Sequence, residues 1–153
     1  MAPIVQSPYQ TSPTLHFSSQ VTSDRKAATV FIIDQDLAVR DALSVSLRAS
    51  GFDVLAYGSA GDFLGMMPAS RRGCLLIEFD LVDMTGVELV ARLAAQRIEV
   101  PAIIMSARLR MPLLGQSCPA GISAILQKPF GQDEMLKCLD RVLGRPSGIW
   151  KTT

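Results

Sequence analysis

The chain has 153 residues, of which 48% are hydrophobic and 19% are charged, and its 15 basic and 14 acidic residues leave a formal net charge of +1. These values fit one folded domain and exclude both a wholly disordered chain and the strongly basic composition of a dedicated nucleic-acid binder. The one histidine, His16, stands near the N-terminus and the three cysteines are far apart, so neither a zinc site nor a histidine-dependent hydrolase is expected.

Both ends of the chain differ in composition from its middle. Residues 1–26 are rich in Ser, Thr, Pro and Gln, and no charged side chain precedes Asp24, which indicates a flexible tail. We expect a folded domain over residues 27–145 and a second tail over residues 146–153, with no output domain after it. No apolar run is long enough to span a bilayer, and unpaired cysteines suit a reducing compartment, so the expected location is the cytoplasm.

Short apolar runs and amphipathic segments alternate through the domain, as expected for buried strands and surface helices. In chain order, the predicted elements are a strand at 29–34, a helix at 37–50, a strand at 52–57, a helix at 59–67, a strand at 73–79, a helix at 87–96, a strand at 100–106, a weak helix within 107–121, a strand at 122–127 and a helix at 133–143.

Local sequence signals favour the first predicted helix and disfavour the fourth. Leu43 and Leu47 fall on one face of the first helix, Asp36 is its expected N-cap, and Gly51 is its expected stop. The fourth helical segment contains Pro112, Gly115 and Pro119, so its order is expected to be weak.

Five strands alternating with helices over short connections predict a doubly wound α/β domain, in which a five-stranded parallel sheet carries helices on both faces. The functional crevice of such a sheet lies at the carboxyl ends of its strands. The side chains that the sequence places there are Asp34, Gln35, Asp36, Glu78, Asp80, Ser106 and Lys128.

These segments resemble the receiver domain of bacterial response regulators, most closely the receivers of the nitrogen-fixation regulator subfamily. The matching stretches include FIIDQDLAVRDAL, GCLLIEFDLVDMTGVEL, VPAIIMSAR and ILQKPF, and the resemblance covers about residues 27–144. It implies a CheY-like, flavodoxin-like fold and a non-enzymatic role in two-component, phosphorelay signalling. The partner would be a histidine kinase or another regulator, with a possible homodimer through the fourth helix, fifth strand and fifth helix, and no direct contact with nucleic acid or membrane.

Several positions match the receiver pattern. A receiver presents two adjacent acids after the first strand, and Asp34 fits the first of them. Ser106 fits the hydroxyl at the end of the fourth strand, Lys128 fits the lysine that follows the fifth, and Pro129 is the candidate for the cis proline after it.

Other positions depart from that pattern. Glu78 stands at the phosphoacceptor aspartate, Gln35 replaces the second acid, and Ile125 stands where the switch aromatic is expected. Glu78 carries its carboxylate roughly 1.5 Å further out, in chemistry where a misplacement of about 1 Å can cost a hundredfold. Magnesium prefers carboxylate ligands, which Gln35 does not supply, so no cofactor is expected and any magnesium site would be weakened, with Asp34 and Glu78 as weak candidate ligands.

The sequence leaves alternatives open. Glu78 either imitates a phosphorylated acceptor by pairing with Lys128 or Ser106, or forms an ion pair of no signalling consequence. Asp36 caps the first helix or replaces the missing acid. Asp80 and Asp83 are turn residues, replacement acceptors or metal ligands. The expected function is a stand-alone pseudo-receiver that binds a partner.

The alternative function is a working phosphorelay receiver that accepts a phosphoryl group at Glu78 or at a neighbouring aspartate. A flavodoxin-type small-molecule binder is disfavoured because the stretch DQDLAV, after the first strand, lacks a phosphate-cradling loop.

Overall fold

The computed structural model of the chain describes residues 28–67, 72–107 and 121–144. The elements within these residues are β1 (Thr29–Ile33), α1 (Leu37–Ala49), β2 (Asp53–Tyr57), α2 (Ala60–Gly65), β3 (Gly73–Glu78), α3 (Gly86–Ala95), β4 (Ala102–Ser106), β5 (Ile122–Gln127) and α4 (Gln132–Val142).

The five strands form one parallel sheet in the order β2-β1-β3-β4-β5. The chain moves outward from β1 to β2 and then returns to the other side of β1 with β3, so the topological switch point lies between β1 and β3. Every residue of β4 is buried, and so are the first five residues of β3, which is why these runs are apolar throughout rather than alternating. The predicted doubly wound sheet is confirmed.

Helices cover both faces of this sheet, as predicted. One core layer packs α1 and α4 against the sheet through residues such as Leu47 and Leu139. The other layer packs α2 and α3 against the opposite face through Phe63 and Leu89. Each layer excludes water from one sheet face, so the strands are held rigidly and their carboxyl ends have fixed relative positions.

The ends of the helices follow the predicted signals closely. Asp36 is the N-cap of α1, and the side chain of Ser59 accepts a hydrogen bond as the N-cap of α2. Gly51, after α1, has a φ of 98°, a conformation that glycine adopts without strain. Helix α2 ends at Gly65 rather than reaching residue 67, consistent with the low helix propensity of glycine.

Some predictions differ from the structure or fall outside it. Strand β4 begins at Ala102, because Pro101 has no N–H to donate to the ladder, although its carbonyl accepts a hydrogen bond from Leu75. The fourth predicted helix and both tails lie outside the described residues. Cys74 and Cys138 are buried free thiols, as expected.

Among the described segments, none of the helices has the length and apolar character needed to cross a bilayer.

Candidate functional site

Three charged side chains meet at the carboxyl edge of the sheet, and we call them the ionic cluster: Asp34, Glu78 and Lys128. The Lys128 ammonium donates to Glu78 Oε2 at 2.5 Å and to Asp34 Oδ2 at 3.2 Å. Their side chains are 24% exposed for Lys128, 12% for Glu78 and 2% for Asp34. The cluster is therefore mostly removed from water, with one cation shared between two carboxylates.

The sheet itself positions these groups. Asp34 directly follows β1, Glu78 ends β3 and Lys128 directly follows β5, so parallel strands deliver all three to the same edge. The Lys128 N–H donates to the Ser106 carbonyl at 2.7 Å, which ties the end of β5 to the end of β4. The bond that follows, Lys128–Pro129, is cis, so the candidate cis proline is confirmed.

Asp34 is the most constrained member of the cluster. Its Oδ1 accepts from the Asp36 N–H at 2.9 Å, while Oδ2 faces Lys128. The Arg40 guanidinium donates to its backbone carbonyl at 2.7 Å. Each of the two carboxylate oxygens of Asp34 therefore has one donor within the chain.

Two opposing effects act on the pKa of Lys128. Burial favours the neutral amine and lowers the pKa, but the hydrogen bond to Glu78 and the negative charges of Asp34 and Glu78 outweigh it, so the pKa lies above its ordinary value of 10.5. Lys128 therefore carries its positive charge throughout the physiological pH range.

Gln35, at the missing second acid, makes a specific contact of its own. Its Nε2 donates to the backbone carbonyl of Asp80 at 2.8 Å, joining the β1–α1 loop to the β3–α3 loop. The Asp80 N–H in turn donates to Glu78 Oε1 at 3.4 Å. The neutral substitution thus places a hydrogen-bond donor in the crevice, which we define as the space bounded by the ionic cluster, Gln35 and the Asp80 carbonyl.

The neighbouring acids serve the helix ends. Asp36 Oδ1 accepts from the N–H groups of Ala38 and Val39, which supports its capping role rather than a place in the acid pair. The Asp83 carboxylate accepts from Gly61 at 2.8 Å and from Ala60 at 3.3 Å, so it caps α2 from a different loop. The Gly61 hydrogen bond is the main reason that the pKa of Asp83 lies below its usual range, although desolvation opposes the shift.

The two remaining predicted positions are on β4 and β5. Ser106 is buried at the end of β4, with 1% of its surface exposed. Ile125 is half-buried, pairs with Ile104 across the sheet and packs against the core layer of α2 and α3. An aliphatic side chain therefore occupies the position at which the receiver pattern has an aromatic one.

The hydrogen bonds of two residues near the site could not be predicted from the sequence. Arg40 belongs to no recognisable sequence motif, although its place in the first turn of α1 brings it close to Asp34. Its guanidinium also lies close to Gly58, because a Cβ on Gly58 would be 3.1 Å from Arg40 Nη1. For Asp83 the sequence indicates only a turn residue, an acceptor or a metal ligand, because no sequence signal links it to a helix 22 residues earlier.

The donor set does not fit a magnesium ion. Mg²⁺ requires near-octahedral oxygen ligation, usually with carboxylates. Here Asp34 and Glu78 share the Lys128 ammonium, and the Asp80 carbonyl accepts from Gln35. Within residues 28–67, 72–107 and 121–144, no three Asp, Glu, His or Cys side chains are grouped as a metal site would need. The oxygens of the crevice are arranged around donors that the chain supplies.

Comparison with known proteins identifies the class. A family model described as the response regulator receiver domain matches residues 30–140, so the chain belongs to this family of two-component signalling domains. It is 30% identical over 114 residues to the transcriptional regulatory protein FixJ of Bradyrhizobium diazoefficiens, covering 74% of this chain and 56% of that protein. It is 32% identical over 113 residues to FixJ of Rhizobium meliloti, covering 74% and 55%. The chain thus spans about half the length of the curated relatives it matches.

Solved structures agree with this assignment. The crystal structure of FixJ-N superimposes with a TM-score of 0.69 at 30% identity, over 77% of this chain and 94% of that one. The chemotaxis response regulator CheY4 of Vibrio cholerae gives a TM-score of 0.66 at 24% identity, over 76% of this chain and 98% of that one, and supports the fold alone.

Proposed function

We propose that this receiver acts in two-component signalling through protein–protein contact, and that Glu78, at the usual acceptor position, is not phosphorylated. The observation that supports the proposal is the contact of the Lys128 ammonium with both Glu78 and Asp34. In a phosphorylatable site, a cation must be available to the incoming phosphoryl group, because such transfer depends on positioning and charge neutralisation. Here the cation is already shared between two anions.

The same contact makes the proposed state independent of a phosphodonor. Glu78 brings a permanent negative charge to Lys128, and burial of the carboxylates strengthens their attraction to the ammonium relative to water. With Ile125 at the switch position, no aromatic side chain would report a change at the acceptor. The receiver would therefore present one constant surface to its partner.

The partner in this proposal is a histidine kinase or another regulator, met in the cytoplasm, where the free thiols Cys74 and Cys138 would stay reduced. A second copy of the chain is the further candidate, because β5 forms one edge of the sheet and α4 follows it directly in the chain. Sedimentation of the full chain, with and without acetyl phosphate, tests this dimer. We expect Lys137→Glu on α4 to weaken it and Arg92→Glu on α3 to leave it intact. A monomer at every concentration would rule the dimer out.

Intact-mass analysis after incubation with acetyl phosphate and magnesium tests the central part of the proposal. We expect no change in the mass of the wild-type chain, and an adduct of about 80 Da, one phosphoryl group, on the double variant Glu78→Asp/Gln35→Asp. The single variant Glu78→Asp separates the contribution of the acceptor from that of the acid pair. An adduct on the wild-type chain would instead support a working phosphorelay receiver that uses Glu78 or a neighbouring aspartate.

A further inference from the structure

The loop of residues 79–85, between β3 and α3, is hydrogen-bonded to the β1–α1 loop on one side and to the start of α2 on the other. On one side, Gln35 Nε2 donates to the Asp80 carbonyl at 2.8 Å, across 45 residues of sequence. On the other side, the Asp83 carboxylate accepts from Gly61 at 2.8 Å, at the start of α2. The loop therefore has side-chain anchors at two points that do not depend on any bound ion.

The Gln35 contact also occupies a backbone oxygen of the crevice. The Asp80 carbonyl lies beside the Glu78 carboxylate, since the Asp80 N–H donates to Glu78 Oε1. An amide N–H carries a partial positive charge, so it opposes the binding of a divalent cation at the carbonyl oxygen to which it donates. With Lys128 already between Asp34 and Glu78, every oxygen named here has a positive partner.

We infer that Gln35 is a positioning residue whose side-chain amide holds the Asp80 carbonyl in place of a bound cation. This amide closes the crevice to divalent ions, and it does so more than the presence of Glu78 where a receiver has an aspartate. The inference deepens the proposed function and rests on it, because a site closed in this way needs no phosphodonor to keep its shape.

The contact of Gln35 with the Asp80 carbonyl can be removed by mutation without a large loss of stability. Gln35 is exposed, and hydrogen bonds of exposed side chains contribute little to stability. Gln35→Ala removes the amide without adding charge, whereas Gln35→Glu removes the N–H donor and adds a carboxylate of nearly the same shape. Glu78→Asp, with Gln35 intact, is the matched control, because it restores the acceptor type but leaves the amide in the crevice.

Manganese binding to the full chain, without any phosphodonor, tests the inference. The readout is the paramagnetic broadening of backbone amide signals in ¹H–¹⁵N NMR spectra, which locates the ion. We expect no selective broadening around residues 34–36 and 78–80 in the wild-type chain or in Glu78→Asp. We expect selective broadening there in Gln35→Ala, and an affinity at least about tenfold higher in Gln35→Glu than in the wild type, because the added carboxylate attracts the ion directly.

Two results would overturn the inference. Gln35→Ala behaving like the wild type would show that the charge of residue 35 matters and its hydrogen bond does not. Manganese binding in Glu78→Asp equal to that in Gln35→Glu would make Glu78 the closing residue. Neither result bears on whether the wild-type chain gains a phosphoryl mass, so this inference and the proposed function fail separately. Thermal unfolding of each variant confirms that the fold is retained.

Discussion

The carboxyl edge of the sheet has two halves that differ in burial and in the kind of bond they use. The ionic cluster is mostly buried and relies on a shared charge, with Asp34 only 2% exposed. The loop half is exposed and relies on side-chain to backbone hydrogen bonds, from Gln35 to Asp80 and from Gly61 to Asp83. The comparison suggests a division of roles, in which the ionic cluster contributes stability and the loop half determines which ligands the crevice accepts.

Receiver-type residues are retained mainly in the buried half. Asp34 and Lys128 match the family pattern, and Glu78 keeps the negative charge of the acceptor. In the exposed half the charged second acid is replaced by Gln35, whose amide bonds to the opposite loop. A change there costs little folding free energy because the groups remain partly solvated. It can nevertheless alter the chemistry of the crevice, because the amide of Gln35 donates to the Asp80 carbonyl there.

The largest effect that separates the two halves is expected from Lys128→Met. This change leaves two mostly buried carboxylates without their cation, and should lower the free energy of unfolding by about 2 kcal/mol, between the values for surface pairs and for fully buried pairs. Lys137→Met on the exposed face of α4 is the control and should have little effect. Urea unfolding at neutral pH measures both. Equal losses would contradict the assignment of stability to the ionic cluster.

The pH dependence of that difference follows from the raised pKa of Lys128. A lysine whose pKa in the folded chain lies above its unfolded value of 10.5 contributes fully to the free energy of unfolding below pH 10.5. This contribution is lost as the pH rises through the pKa of the folded state. We therefore expect the stability gap between wild type and Lys128→Met to stay constant from neutral pH into the alkaline range and to close only above pH 10.5. A gap that closes between pH 7 and pH 9 would contradict this.

A smaller effect is expected where α3 meets the end of β3. A Cβ on Gly86 would lie 2.9 Å from the Glu78 carbonyl oxygen and 3.0 Å from Ile77 Cγ2. Gly86→Ala should therefore displace the start of α3 and reduce the free energy of unfolding by about 1–2 kcal/mol. Gly65→Ala is the matched control, since nothing lies within 4 Å of a Cβ placed there, and should be neutral or slightly stabilising. Chemical denaturation that gives the two variants the same stability would disprove the close packing.

The smallest effect is expected from Asp83→Asn in the exposed half. The variant keeps the shape of the cap but loses its charge at the start of α2, and the loss should stay below about 1 kcal/mol, the usual range for a helix cap. Asp62→Asn removes the same charge from the same helix turn without touching these bonds, and serves as the control.

The sign of the Asp83 effect can be checked by pH. Because the folded pKa lies below the ordinary 3.8, the contribution is present above pH 3.8 and is lost as the pH falls through the folded value. Thermal unfolding of wild type and Asp83→Asn should differ at neutral pH and converge in strong acid. A difference that grows as the pH falls would contradict the capping role.

Sequence reasoning reached the fold and the buried half of the site for the same physical reason. Apolar runs such as the one in β3 identify strands of a parallel sheet, and a parallel sheet brings Asp34, Glu78 and Lys128 to one edge whatever the loops do. The exposed half depends on loop conformation, and no periodicity records it. The sequence therefore shows that position 35 carries no charge. It does not predict the hydrogen bond from Gln35 to Asp80 or the hydrogen bonds of Asp83 to the start of α2.

The most direct test of the central claim is a ¹H–¹⁵N NMR titration of the wild-type chain with magnesium and beryllofluoride, a mimic of a bound phosphoryl group. According to this claim, donors within the chain already engage the oxygens that line the crevice. We expect the amide signals of Glu78, Asp80, Ser106 and Lys128 to stay in place throughout the titration. Saturable shifts of these signals would show that the site still accepts a cation and a phosphoryl group, and would contradict the claim.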